Sequence, residues 1–109
     1  MINPSDYLRG HTETIILKHL LHQDNYGYQI NKAIHDTSNN TYSLKEATLY
    51  SAFKRMEEKG YITSYWSHVD NKPRKYYHLT KLGRSYYNTC VKDYLELKEL
   101  LDNLILEKN

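Results

Sequence analysis

Apolar residues recur along this chain first at helical spacing, then in alternation, then at helical spacing again. Ile16, Leu17, Leu20 and Leu21 form a stripe that predicts a helix from a cap at Thr12 to about Gln23. Before it, residues 1–10 carry Pro4 and Gly10 and read as an arm with one helical turn around Tyr7-Leu8. Asp24-Asn25-Tyr26-Gly27 is a turn signal. Ile30, Ala33 and Ile34 then predict a shorter helix over about Tyr28–His35, and polar Asp36–Thr41 a loop. Ser43 and Glu46 have the spacing of a capping box for a third helix, which Gly60 ends. Beyond Gly60 the period falls to two. Tyr61–His68 predicts a strand, Val69–Arg74 a polar turn and Lys75–Leu79 a second strand. Thr80 caps a last helix that runs unbroken to about Glu107.

Helix, helix, helix, strand, turn, strand is the order of a winged helix-turn-helix. The expected class is therefore mainly α with a small β part (α+β), ending in a long C-terminal helix. Residues 1–79 form the DNA-binding unit and 80–109 a dimerisation helix of the same compact domain. On a helical wheel of the third helix, Leu49, Ala52, Phe53 and Met56 turn inward. The opposite face carries Ala47, Tyr50, Ser51 and Lys54, within the turns that a recognition helix applies to base edges. Thr48 and Arg55 flank that face at positions suited to phosphates, and Lys45 adds a cation at the first turn, where the helix dipole favours an anion. The predicted turn holds Lys72, Arg74 and Lys75 around rigid Pro73, a concentration of cations that a polyanion would offset.

In the last helix Leu82, Tyr86, Cys90, Tyr94, Leu97, Leu101 and Leu104 recur at intervals of three and four. Such a helix spans roughly 40 Å, longer than a small domain can cover. Tyr86, Cys90, Tyr94, Leu97, Leu101 and Leu104 are therefore expected to pair two copies about a two-fold axis.

The net charge of +2 says little by itself, but its distribution says more. Basic Lys72, Arg74, Lys75, Lys81 and Arg84 face only Asp70 in the middle of the chain, whereas Asp93, Glu96, Glu99, Asp102 and Glu107 make the tail acidic. Apolar runs as short as Ile15-Ile16-Leu17 cannot span a membrane. The first residues lack the basic and apolar segments of a leader, and one cysteine allows no intrachain disulfide, so a cytoplasmic location is expected. No phosphate-cradling glycine loop, Cys-x-x-Cys or serine elbow is present, so neither enzyme nor cofactor is expected. His19 and His22 have a spacing that metal ligands use, but no neighbouring carboxylate or thiol completes a set, and they are read as ordinary histidines. Cys90 lies within the apolar stripe and reads as a packed thiol rather than a redox sensor. Trp66 has two readings: a packing residue of the core or hairpin, favoured, or an aromatic wall for a flat effector at the dimer centre.

Three segments carry a family resemblance: Tyr26-Gly27-Tyr28-Gln29-Ile30, Ala47–Ile62, and Arg74-Lys75-Tyr76-Tyr77-His78-Leu79-Thr80-Lys81-Leu82-Gly83. In this order and spacing they closely resemble the PadR family of bacterial regulators, over about residues 10–95, in its compact branch. The resemblance implies a dimeric repressor on an inverted repeat of double-stranded DNA. Tyr50, Ser51 and Lys54 would lie on the DNA-facing helix and Lys72–Lys75 in the wing. Many relatives respond to aromatic compounds, so a small aromatic effector is implied as well. The family often has proline where this chain has Ser51, so base preference does not carry over. The competing expectation is a winged-helix interaction module that binds no DNA.

Overall fold

In a computed structural model, residues 1–107 are described. The elements are α1 (Pro4–Leu8), α2 (Thr12–Lys18), β1 (Asn25–Tyr26), α3 (Gly27–Thr37), α4 (Glu46–Glu58), β2 (Ile62–Val69), β3 (Lys72–Leu79) and α5 (Lys81–Ile105). This is the expected mainly helical class, with a three-stranded antiparallel sheet in the order β1-β3-β2.

One core joins these elements. Ile16, Leu17 and Leu20 come from the first stripe, Ile30 and Ile34 from α3, and Leu49, Ala52, Phe53 and Met56 from α4; Ile62, Tyr77 and Leu79 close it from the sheet. Every α4 position that the wheel turned inward is buried. Phe53 stacks on Tyr77 with ring centroids 3.9 Å apart, which fastens α4 to β3.

Several boundaries differ from the sequence expectation. α2 ends at Lys18 rather than Gln23. His19, Leu20 and Leu21 donate to carbonyls three residues back, the tighter pattern of a closing turn. Arg84 of α5 donates to the Leu21 carbonyl at 2.7 Å, so a distant side chain satisfies the group that a longer helix would have bonded. Thr12 is not the cap: His11 occupies that position and makes no side-chain capping bond. The capping box at Ser43 and Glu46 does not form either, because α4 starts one residue after Lys45. Leu44 is buried, and its backbone is held from outside the helix: its N–H donates to Asn31 Oδ1 and its carbonyl accepts from Asn31 Nδ2, both at 2.8 Å. One amide of α3 therefore fixes the entry to α4.

The expected turn Asp24–Gly27 contains the short strand β1, and α3 runs two residues past His35 to Thr37. Gly60, at φ +80°, ends α4 as expected. The hairpin turn is only Asp70-Asn71, both at positive φ, a two-residue turn whose twist suits a hairpin. Lys72, Pro73 and Arg74 therefore belong to β3 rather than to the turn. Pro73 faces His68, one pair from the tip, where antiparallel alternation points its missing N–H to the open edge.

Thr80 caps α5 as expected, accepting from the Gly83 N–H at 2.9 Å. Its hydroxyl also donates to the Gly60 carbonyl at 2.6 Å. Gly83 allows this junction to close, since a Cβ there would run into the Tyr61 carbonyl oxygen. α5 then leaves the body as a helix about 38 Å long, within a molecule 60 × 31 × 22 Å. The expected helical segment 80–109 is seen as far as Ile105; residues 108–109 lie outside the described part.

Candidate nucleic-acid interface

The outer face of α4 presents Ala47, Thr48, Tyr50, Ser51, Lys54 and Arg55 to solvent, with exposed Lys45 at the N-cap. No side chain caps this end, so the first N–H groups remain open to water or an anion. Tyr50 is 46% exposed and held in place. Its ring meets Phe53 edge-on at 5.7 Å, and its hydroxyl sits where a side chain at Gly27 would be, 2.9 Å from a Cβ built there. Gly27 thus makes room for Tyr50, which gives Tyr26-Gly27-Tyr28 a packing reason.

The wing cations do not act as one cluster, because neighbours along a strand point to opposite faces. Lys75 lies opposite Trp66 on the face that carries Tyr77 and looks toward α4. Its ammonium lies 5.9 Å from the Tyr77 ring centre. Lys54 and Lys75 open onto a groove of about 530 Å³ between α4 and the wing, also lined by Tyr50, Glu57 and Tyr77. Burial, helped by Tyr50 and Glu57, pushes the Tyr77 hydroxyl up to about 12, so it stays a donor at neutral pH. Across the groove floor Ser64 of β2 donates to Glu57 at 2.9 Å.

Arg74 points the other way. It is half-buried, with its guanidinium 4.6 Å above the Tyr26 ring. Tyr26, Tyr76 and Tyr65 form an aromatic row beneath it, with centroid separations of 5.3 and 5.8 Å. Lys72 stands exposed beside the hairpin tip.

A polar cluster that no spacing along the chain signals lies at the base of the same outer face. Asp24 accepts from the Tyr65 hydroxyl at 2.7 Å and lies 2.8 Å from Nδ1 of His78. Burial raises the Asp24 carboxyl, but the bonds from Tyr65 and His78 outweigh it and hold the group below its ordinary value. The acceptor in turn raises the Tyr65 hydroxyl.

The expected dimerisation residues divide. Tyr86 belongs to the chain's own interior: it stacks on Tyr61 with centroids 4.1 Å apart and planes 7° apart, and donates to Glu13 at 3.4 Å. Burial, with Cys90 and Glu13 beside it, raises its hydroxyl. Cys90 is half-buried beneath it. Tyr94, Leu97, Leu101 and Leu104 are exposed, the last at 73%. Tyr94, Leu97 and Leu101 line an open groove of about 630 Å³ with Tyr7, Leu8 and Ile15 of the N-terminal helices. Trp66 is neither a core residue nor part of this groove; it is 65% exposed on the wing. Opposite Lys75 and beyond the two β3 positions that β1 pairs with, it stands past the core that Ile62, Tyr77 and Leu79 close.

Burial and the neighbouring Lys18 lower the pKa of His19. Among the described residues, no group of three or more His, Cys, Asp or Glu side chains is placed to hold a metal ion. No described helix is long and apolar enough to cross a membrane.

Residues 16–89 match the Transcriptional regulator PadR-like family. An uncharacterized protein of Lysinibacillus sphaericus is 46% identical over 99 residues, covering 90% of this chain and 91% of that one. The solved structure of a transcriptional regulator from Clostridium thermocellum is 41% identical with a TM-score of 0.82, over 94% of this chain and 99% of the other. A PadR family transcription regulator from Clostridium difficile is 33% identical with a TM-score of 0.78, over 88% and 99%.

Proposed function

Because the chain belongs to the PadR-like family of transcriptional regulators, we propose that it is a sequence-specific repressor that binds an inverted-repeat operator as a homodimer. The observation that carries this reading is the outer face of α4, where a pre-set Tyr50 stands beside Ser51 and Lys54, with Lys75 opening onto the same groove. In the proposed complex α4 enters the major groove, and Tyr50, Ser51 and Lys54 meet base edges. Lys45, Thr48, Arg55 and Lys72 neutralise or bond phosphates, which fixes register without reading sequence. Ala47 leaves space for the duplex at the first turn. Lys75, facing α4, joins Lys54 instead of the outer wing cations.

The homodimer rests on α5. Tyr94, Leu97, Leu101 and Leu104 are apolar and exposed, and the groove that the first three form with α1 and α2 suits an apolar helix. A second copy's α5 is the proposed occupant, since each chain offers both the stripe and the groove, as a two-fold contact requires. Two α4 helices then stand about 34 Å apart, one turn of DNA. Release by a small apolar effector follows from the same arrangement: a molecule in the α1–α2–α5 groove competes with the partner helix and separates the two α4 helices. The proposed place of action is the cytoplasm.

The test is selection of bound duplexes from a random pool, followed by a salt titration of the winner. An inverted repeat with half-sites about one turn apart and a steep log–log salt slope is expected. A single half-site would remove the dimer. No enrichment, with weak binding indifferent to salt, would favour the interaction module.

A further inference from the structure

Asp24, Tyr65 and His78 lie on the outer face of the sheet, away from α4, and have no part in the proposed DNA surface. Asp24 closes the connection from α2, Tyr65 is in β2 and His78 in β3, so one carboxylate holds both wing strands to the chain entering α3. The same segment meets the wing twice more. Asn25 and Tyr26 pair with Tyr77 and Tyr76, and Arg74 lies over Tyr26. Its next residue, Gly27, opens α3 and faces the hydroxyl of Tyr50 on α4. Residues 24–27 therefore link the wing to the helix proposed to read DNA.

The wing needs such a link. β1 covers only Tyr76 and Tyr77, so from Trp66 and Lys75 outward the hairpin is a two-stranded lever. Small changes at its base swing Lys72 through large distances at the tip. We propose that Asp24 is a positioning residue for DNA binding: its carboxylate sets the wing at the angle to α4 that lets both engage one duplex. This rests on the DNA-binding reading above. A carboxylate suits the task because it accepts from two donors at once, one from each strand. An exposed polar contact adds little to stability, but it selects one orientation of an element that backbone pairing already holds.

The experiment uses the full chain as wild type, Asp24→Ala, Asp24→Asn, Tyr65→Phe and the double variant Asp24→Ala/Tyr65→Phe. Amide hydrogen exchange is read without DNA, and affinity for the selected duplex is read across salt. Asp24→Ala is expected to speed exchange in residues 62–79 and 24–28 while leaving α2 and α5 unchanged. It should weaken binding about five- to tenfold and leave the salt slope intact, because no phosphate contact is lost. Asp24→Asn still accepts from Tyr65 and offers an N–H to the tautomer of His78 with an accepting Nδ1, so it recovers most of the loss. The double variant binds no more weakly than Asp24→Ala alone. Unchanged exchange in the wing overturns the proposal, as does faster exchange throughout the chain or unchanged affinity in Asp24→Ala. A wild type that enriches no duplex removes the DNA-binding reading, and with it the role given to Asp24. Wing exchange in that case still reports whether the carboxylate restrains the hairpin.

Discussion

On the proposed reading, individual side chains separate the contacts that would position a duplex from those that would read it. Lys72 is exposed at the wing tip, so Lys72→Ala should weaken all sequences alike and lower the salt slope by about 0.9, read by titrating a fixed operator and a scrambled duplex. Ser51→Ala removes a hydroxyl from the α4 face without touching the core. Its expected effect is a changed preference at one base position, worth about 1–3 kcal/mol, seen by repeating the selection. Arg74 differs from both, since its guanidinium rests on Tyr26. Replacement by lysine keeps the charge and loses the planar stacking, a distinction that charge counting along the chain does not make. Asp24 carries a pH signature. Its carboxyl lies below the ordinary 3.8 in the folded chain, so its contribution is complete above that value and is lost as pH falls through the folded one. The stability gap between wild type and Asp24→Ala should therefore hold constant above the ordinary 3.8 and shrink as pH falls below it in urea titrations.

At the scale of elements, junctions decide what propensity leaves open. The α3–α4 junction depends on Asn31, which satisfies both backbone groups of buried Leu44. Asn31→Ala strands a donor and an acceptor, and a loss of about 2–4 kcal/mol is expected in chemical denaturation. The β2–α5 junction depends on Gly83 for close approach to Tyr61. Gly83→Ala forces that contact apart at an expected cost of about 1–3 kcal/mol, with a lower Tm as the readout. The α4 stripe was legible because Leu49, Ala52, Phe53 and Met56 repeat at the helical period, and all four are buried. The capping box was not a reliable signal, since Ser43 and Glu46 have the right spacing while Leu44 between them is pulled into the core. The end of α2 was equally hidden, because the donor to the Leu21 carbonyl of its closing turn is Arg84, 63 residues away.

For the whole molecule the central question is what covers α5. Burying Tyr94, Leu97, Leu101 and Leu104 against a second copy would make stability depend on protein concentration. Leu97→Asp with Leu101→Asp should give a monomer by analytical ultracentrifugation at micromolar concentration. It should also reduce operator affinity at least tenfold, because each monomer then binds one half-site. Tyr86 belongs outside this set: its stacking on Tyr61 makes it part of the chain's own packing, so Tyr86→Ala is expected to lower stability before it affects association.

What the sequence alone determined is what local periodicity and capping can encode: helices and a hairpin in winged-helix order, an α4 with one apolar face, the stop at Gly60 and the cap at Thr80. Each of these is settled within a few residues, by spacing, by a positive φ or by a hydroxyl three residues from its donor. The tertiary structure alone decided the direction of each wing cation, the place of Tyr86 inside the chain, the exposure of Trp66 and the joining of Asp24 to Tyr65 and His78. Those contacts link residues up to 73 positions apart, as Tyr86 and Glu13 are. No periodicity spans such distances, so which groups meet was decided only when the sheet register and the packing of the helices brought them together.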